Sequence, residues 1–205
     1  MTTKFVREKD LVERLVQRLG LDVGGYEDPN ASGSETGADV TILHGDCRIG
    51  VQVTILDTGT VPGESIAKEK AQAREATGTH GGVYGGWGQN QPMAAIVAAI
   101  TKKSATDVAG FDEVWLLVSC GIPEHGAIIS TLLMTNCLTA AALTAATAAT
   151  LARSSYGHAF LHPITALEDA LYEWTPAQQW QKHIRPRPGP EGPSFWDIQR
   201  MMKRR

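Results

Sequence analysis

Cysteine is scarce in this chain of 205 residues: Cys47, Cys120 and Cys137 lie far apart and form no Cys-x-x-Cys pair. That argues against a disulfide framework and a zinc ribbon, and makes a reducing, cytoplasmic compartment the expected setting. The opening MTTKFVREKDLVERL is charged and lacks the apolar stretch of a secretory signal. Long apolar runs are nearly absent as well. The 28 residues between Glu124 and Arg153 hold no Asp, Glu, Lys or Arg. Their length would allow a membrane span. Their composition does not, because residues 131–152 hold eight Ala and six Thr against six Leu or Met. A buried helix, with no membrane contact, is expected there.

The familiar nucleotide and hydrolase signatures are missing too. No G-x-G-x-x-G leads from a strand into a helix, and the Gly-rich stretch 77–91 lacks the Gly-Lys-Ser/Thr ending of a P-loop. No Gly-x-Ser-x-Gly elbow occurs, and the six histidines show no HExxH spacing. His158 and His162, four apart in a strand-like run, share a face and read as structural histidines before they read as a metal pair.

What is present suffices for a core: 42% hydrophobic and 20% charged residues suit one globular unit. The formal charge of −3 is unevenly spread. Residues 182–205 carry seven basic and two acidic residues, whereas 1–181 carry twelve basic and twenty acidic, a net of −8. Such a body attracts no polyanion unaided, so nucleic-acid binding would need a local basic patch, the tail or a metal ion.

Helical spacing of Phe5, Val12, Leu15, Val16 and Leu19 predicts an amphipathic helix over 4–19, ended by Gly20. Residues 24–37 read as a polar loop. ADVTILHG and CRIGVQVTIL, separated by Gly45-Asp46, read as a hairpin. Residues 57–63 read as a loop and 65–76 as a solvated helix. A Pro92-opened helix, a buried strand over 111–120, the Ala/Thr helix 131–152 and a strand over 156–164 follow. TALEDALYEW and PAQQWQKHI read as short helices. The expected organisation is an α/β domain over 1–184, with a mixed sheet between helices, and a Pro-rich linker with a basic tail over 185–205.

The chemically informative stretch joins Asp39, at the start of one hairpin strand, to Gln52 in the middle of the next. Gln52 lies between Val51 and Val53, so alternation points its amide away from them. A polar group inside such a run needs a partner, and a hard cation shared with Asp39 would supply one. Asp39 followed by Gln52-Val53-Thr54 resembles the motif of the PD-(D/E)XK nuclease superfamily, in which an aspartate precedes, by roughly a dozen residues, an acidic residue or Gln, one spacer and Lys. The element order over roughly 4–164 fits as well.

The resemblance implies a restriction-endonuclease-like three-layer sandwich and Mg²⁺- or Mn²⁺-dependent hydrolysis of nucleic acid, DNA before RNA. Asp39 and Gln52 would be the metal ligands. Thr54 stands at the lysine position and cannot replace an ammonium. Some members carry that lysine on the following helix, where this chain offers Lys70 and Lys68; both also read as solvated helix charges. Members often have an acidic residue in the first helix. At about 100° per residue, Glu8 falls within the apolar stripe of helix 4–19 and Glu13 does not. Glu8 is therefore the candidate third acid, the other reading being a near-terminal Glu that reaches water. Thr54 and the neutral Gln52 also admit an inactive nuclease-fold module for nucleic-acid or protein binding, with the Ala-rich helix 131–152 as a homodimer contact.

Overall fold

The computed structural model describes residues 3–31, 36–56, 60–61, 64–65, 91–120, 138–163 and 170–184. Helix α1 (Thr3–Leu19) buries Phe5, Leu11, Val12, Leu15 and Val16 along one side. It stops at Gly20, whose φ of 68° places it in the left-handed region. The Gly20 amide bonds Gln17 O and the Leu21 amide bonds Val16 O, the paired closure of a Schellman cap.

Strands β1 (Gly25–Glu27), β2 (Val40–His44) and β3 (Cys47–Leu56) form an antiparallel meander. Gly45 turns the β2–β3 hairpin with φ 59°, a conformation that favours glycine. A two-stranded ribbon follows, β4 (Thr60–Val61) with β5 (Glu64–Ser65). Helix α2 (Gln91–Ser104) leads to β6 (Glu113–Cys120), which runs parallel to β3. Helix α3 (Ala140–Leu151) leads to β7 (His158–Pro163), parallel to β6. Strands β8 (Ala170–Thr175) and β9 (Gln179–Ile184) complete an α/β fold whose seven-stranded mixed sheet has the order β1-β2-β3-β6-β7-β8-β9.

The sheet has apolar side chains on both faces. Val40, Ile42, Val51, Val53, Trp115, Leu117 and Phe160 pack with α1. Leu116, Val118, Ala159, Leu161, Tyr172 and Trp174 pack with Ile96 and Ile100 of α2 and Leu143 and Leu151 of α3. Helices therefore cover both faces, and β3, near the middle of the sheet, is buried at every residue from Ile49 to Val53, as a strand covered on both sides is.

Four expectations are corrected. TALEDALYEW and PAQQWQKHI are not helices where they are described: Ala170–Thr175 and Gln179–Ile184 are the hairpin β8–β9. Tyr172 and Trp174 on one strand and Trp180 on the other bury their rings against α3, and that burial outweighs the helix propensity of Ala, Leu and Glu. The polar loop 24–37 contains β1, because Gly25–Glu27 can bond the free edge of β2. The loop 57–63 contains β4, which pairs with β5, so Ser65 is in a strand; the rest of the expected helix 65–76 lies outside the described residues. The Ala/Thr helix starts at Ala140, where Thr139 Oγ1 caps it by accepting from the Ala142 amide at 3.1 Å; residues 131–137 lie outside the described residues. So do the Gly-rich stretch over 77–90 and the tail 185–205. Among the described residues no helix is long and apolar enough to cross a membrane.

Candidate metal centre

Asp39 is the residue before β2, and three elements converge on it. Its main-chain amide bonds Val51 O at 2.9 Å, which fixes it beside β3. Its Oδ2 then accepts from the Val53 amide at 2.9 Å. Lys4, in the first turn of α1, donates to Asp39 Oδ1 at 2.8 Å. Lys103, in the last turn of α2, donates to Oδ2 at 2.9 Å. The buried carboxylate thus sits where the helix layers of both sheet faces meet one end of the central strands.

Glu8 joins the same cluster. One turn along α1 from Lys4, it is buried, and its Oε1 lies 3.6 Å from the Lys4 ammonium that also holds Asp39. Burial pushes the Glu8 carboxyl up to about 7, and the Asp39 charge adds to this, while Lys4 and Lys103 pull against it. Burial acts upward on Asp39 as well. There the hydrogen bonds from Lys4, the Val53 amide and Lys103 outweigh it and hold the carboxyl below its ordinary value.

Gln52 lies one residue before Val53 and points, by alternation, to the side of β3 away from Val51 and Val53. Its Nε2 donates to Gly37 O at 2.7 Å and its Oε1 accepts from Tyr156 Oη. Gly37 needs to be glycine here. Its φ is 77°, and a Cβ would stand 2.2 Å from Asp107 O in the turn after α2. This close approach brings segment 36–39 against the C-terminal end of α2 and hence against Lys103. Burial, then the Asp39 charge, raises the Tyr156 phenol above its ordinary range, so Tyr156 acts as a neutral donor to Gln52.

The structure therefore brings Asp39 and Glu8 together through Lys4, whereas Gln52 points to the sheet side away from α1 and is held there by Gly37 and Tyr156. Thr54 is half-buried on β3, two residues past Gln52. Lys68 and Lys70 lie outside the described residues. Sequence reasoning missed Lys103, Lys4 and Tyr156. A lysine in a last helical turn reads as a complement to the helix dipole, and Tyr156 comes from a turn more than a hundred positions after Gln52. His158 sits with Nδ1 2.9 Å from Glu173 and Nε2 3.2 Å from Glu113, as a structural ion pair would.

Among the described residues no group of three or more His, Cys, Asp and Glu side chains converges as a metal cluster. Asp39 and Glu8 nevertheless share a cation already, the Lys4 ammonium. Two carboxylates that share one cation are the kind of hard oxygen donors Mg²⁺ takes together with several waters. No family model, curated protein or solved structure matches this chain.

Two expected results follow from this geometry. Tyr156→Phe leaves the buried Gln52 Oε1 without its hydroxyl donor and should cost about 1–3 kcal/mol of stability in urea unfolding; an unchanged midpoint would show the bond to be dispensable. Glu8 sets a pH dependence. Its carboxyl titrates near 7 in the folded protein, against 4.5 for an unperturbed group, so the folded state binds the extra proton between those values. The Glu8 contribution to stability therefore falls as pH rises through that window. Glu8→Gln should remove that slope from unfolding midpoints measured at about pH 5 and pH 7.5, and an unaltered slope would assign it elsewhere.

Proposed function

We propose that this protein is a Mg²⁺- or Mn²⁺-dependent nuclease that hydrolyses DNA phosphodiester bonds, on a restriction-endonuclease-like three-layer sandwich and as a divergent PD-(D/E)XK protein. The observation that carries the reading is the ammonium of Lys103 at 2.9 Å from Asp39 Oδ2. A nuclease site of this kind needs a carboxylate, a second oxygen donor and an ammonium together. Here Thr54 leaves the strand position without a cation, and α2 supplies one from its last turn.

Asp39 and Glu8 would hold the ion, with Gln52 Oε1 as a weaker neutral ligand. When bound, a divalent ion polarises the phosphoryl group and makes coordinated water more acidic. The remaining work belongs to the chain. The Val53 amide and the Lys103 ammonium fix the Asp39 carboxylate, so that little reorganisation is needed as charge builds on the phosphate. Tyr156 and Gly37 fix both ends of the Gln52 amide. Lys4 and Lys103, with the exposed Arg7 and Lys102, add local positive charge to a body that is net acidic. Lys70 and Lys68 remain candidates for a further ammonium from the segment after β5.

A second reading has its own support. Both Asp39 oxygens are neutralised by lysines and both ends of Gln52 are bonded, so the network is satisfied without an ion. That favours a catalytically inactive nuclease-fold module for nucleic-acid or protein binding. Exposed Ala141, Ala145 and Ala149 on α3 would suit a homodimer contact in that case.

The deciding experiment incubates wild-type protein with duplex DNA, single-stranded DNA and RNA in Mg²⁺, Mn²⁺ or EDTA. Cleavage with metal and none with EDTA is expected. No cleavage of any substrate with either ion would leave the inactive module as the better account.

A further inference from the structure

The two lysines that hold Asp39 differ in their surroundings. Lys103 is 23% exposed and, among the described residues, pairs with the carboxylate of Asp39. Lys4 is 65% exposed, stands in the first turn of α1, and places its ammonium 2.8 Å from Asp39 Oδ1 and 3.6 Å from Glu8 Oε1. It thus occupies the position between two buried carboxylates that a small cation would take. An ordinary surface lysine gains little from one exposed ion pair. This one is shared by two acids whose own exposure is below 10%.

We infer that Lys4 is a tethered occupant of the divalent-ion seat. It neutralises Asp39 and Glu8 while the ion is absent and swings into solvent when the ion binds, so that ion binding is a competition with the chain's own ammonium. The inference rests on the nuclease reading of this site and adds its regulation. Charge balance gives the reason for the exchange. When both carboxylates are ionised, Lys4 and Lys103 already neutralise them, and a divalent ion added to that set meets two ammonium groups. Removing Lys4 restores a net negative seat, and its exposed stem allows the movement without repacking. Lys103, enclosed at the end of α2, stays. Such a seat fills when ion and polyanion arrive together, because a phosphate can receive the displaced ammonium.

The test is Mn²⁺ binding followed by calorimetry and by the spin-resonance signal of free Mn²⁺, without nucleic acid. Lys4→Met should tighten binding by about tenfold, the scale of losing one shared ion pair and its repulsion of the ion. Arg7→Met removes the same charge one turn along α1, where Arg7 makes no ion pair with a described residue, and should change affinity by less than about twofold. Asp39→Ala should abolish binding. Thermal unfolding of each variant checks that the fold is retained. Equal tightening by Lys4→Met and Arg7→Met would reduce Lys4 to a contributor to the general field and overturn the inference. Unchanged affinity in Lys4→Met, with binding still lost in Asp39→Ala, would overturn it while leaving the metal site in place. No Mn²⁺ binding by wild type or Lys4→Met would overturn both the inference and the metal site.

Discussion

Lys103→Met is expected to lower metal-dependent DNA cleavage by about 10²–10³-fold, the usual loss when one preorganised charge is taken from a transition state. The ammonium is held at 2.9 Å from Asp39 Oδ2 by its place in the last turn of α2, where the helix dipole also favours a cation. Asp39 retains Lys4 and the Val53 amide in the variant, so the stability cost should stay near 1–2 kcal/mol. Cleavage and unfolding measured on one preparation separate the two effects. Lys102→Met is the natural control, since the neighbouring lysine is exposed and should matter little for the chemical step. Lys70→Ala and Lys68→Ala belong in the same series. Full activity in Lys103→Met together with a large loss in either of these would move the essential ammonium to the segment after β5.

Asp39→Ala should have the larger effect on both function and stability. Cleavage is expected to fall by more than about 10³-fold, because one substitution removes the principal ion ligand and the group that orients Lys103. Stability should fall by about 2–4 kcal/mol, since the Val53 amide loses its acceptor and the Lys103 ammonium loses its carboxylate while Lys4 keeps only Glu8. That last term makes the effects non-additive: Asp39→Ala with Lys103→Met should be less destabilised than the sum of the single variants. The pH dependence has the sign opposite to that of Glu8. The folded Asp39 carboxyl lies below its ordinary value of 3.8, so its contribution to stability is present above that value and is lost as pH falls through the folded one. Asp39→Ala should remove this acid-side loss. An Asp39→Ala protein as stable as wild type would mean that the ion pairs contribute nothing to the fold.

The parts of this molecule that were legible in its sequence are those where local pattern and tertiary environment agree. The β2–β3 hairpin could be read because Gly45 marks the turn and the flanking residues alternate in a way that only one register satisfies. Glu8 could be read because a carboxylate inside an apolar helical stripe is costly without a partner. Its partners are Lys4 and, through that lysine, Asp39. The β8–β9 hairpin could not be read the same way. Ala170, Leu171 and Glu173 are good helix formers, and what overrides them is contact between Tyr172, Trp174, Trp180 and a helix some thirty residues earlier. Trp180 Nε1 donates to Thr147 Oγ1 on α3 at 2.8 Å, a bond that no local window contains. The site was legible to the same extent. Asp39 and Gln52 lie on one hairpin, so spacing brings them together. Lys103 and Tyr156 arrive through the parallel crossovers after β3 and β6, and the distance along the chain conceals them.

The central claim is that Asp39 and Glu8 form a seat for a divalent ion beside a fixed ammonium. The most direct measurement is a crystal structure from Mn²⁺-soaked crystals, read in anomalous difference density. The account predicts a peak about 2.0–2.2 Å from oxygens of both Asp39 and Glu8, with Lys4 turned to solvent and Lys103 in place. A well-ordered site at saturating Mn²⁺ with no peak there, and with Lys4 still bonded to Asp39, would contradict it.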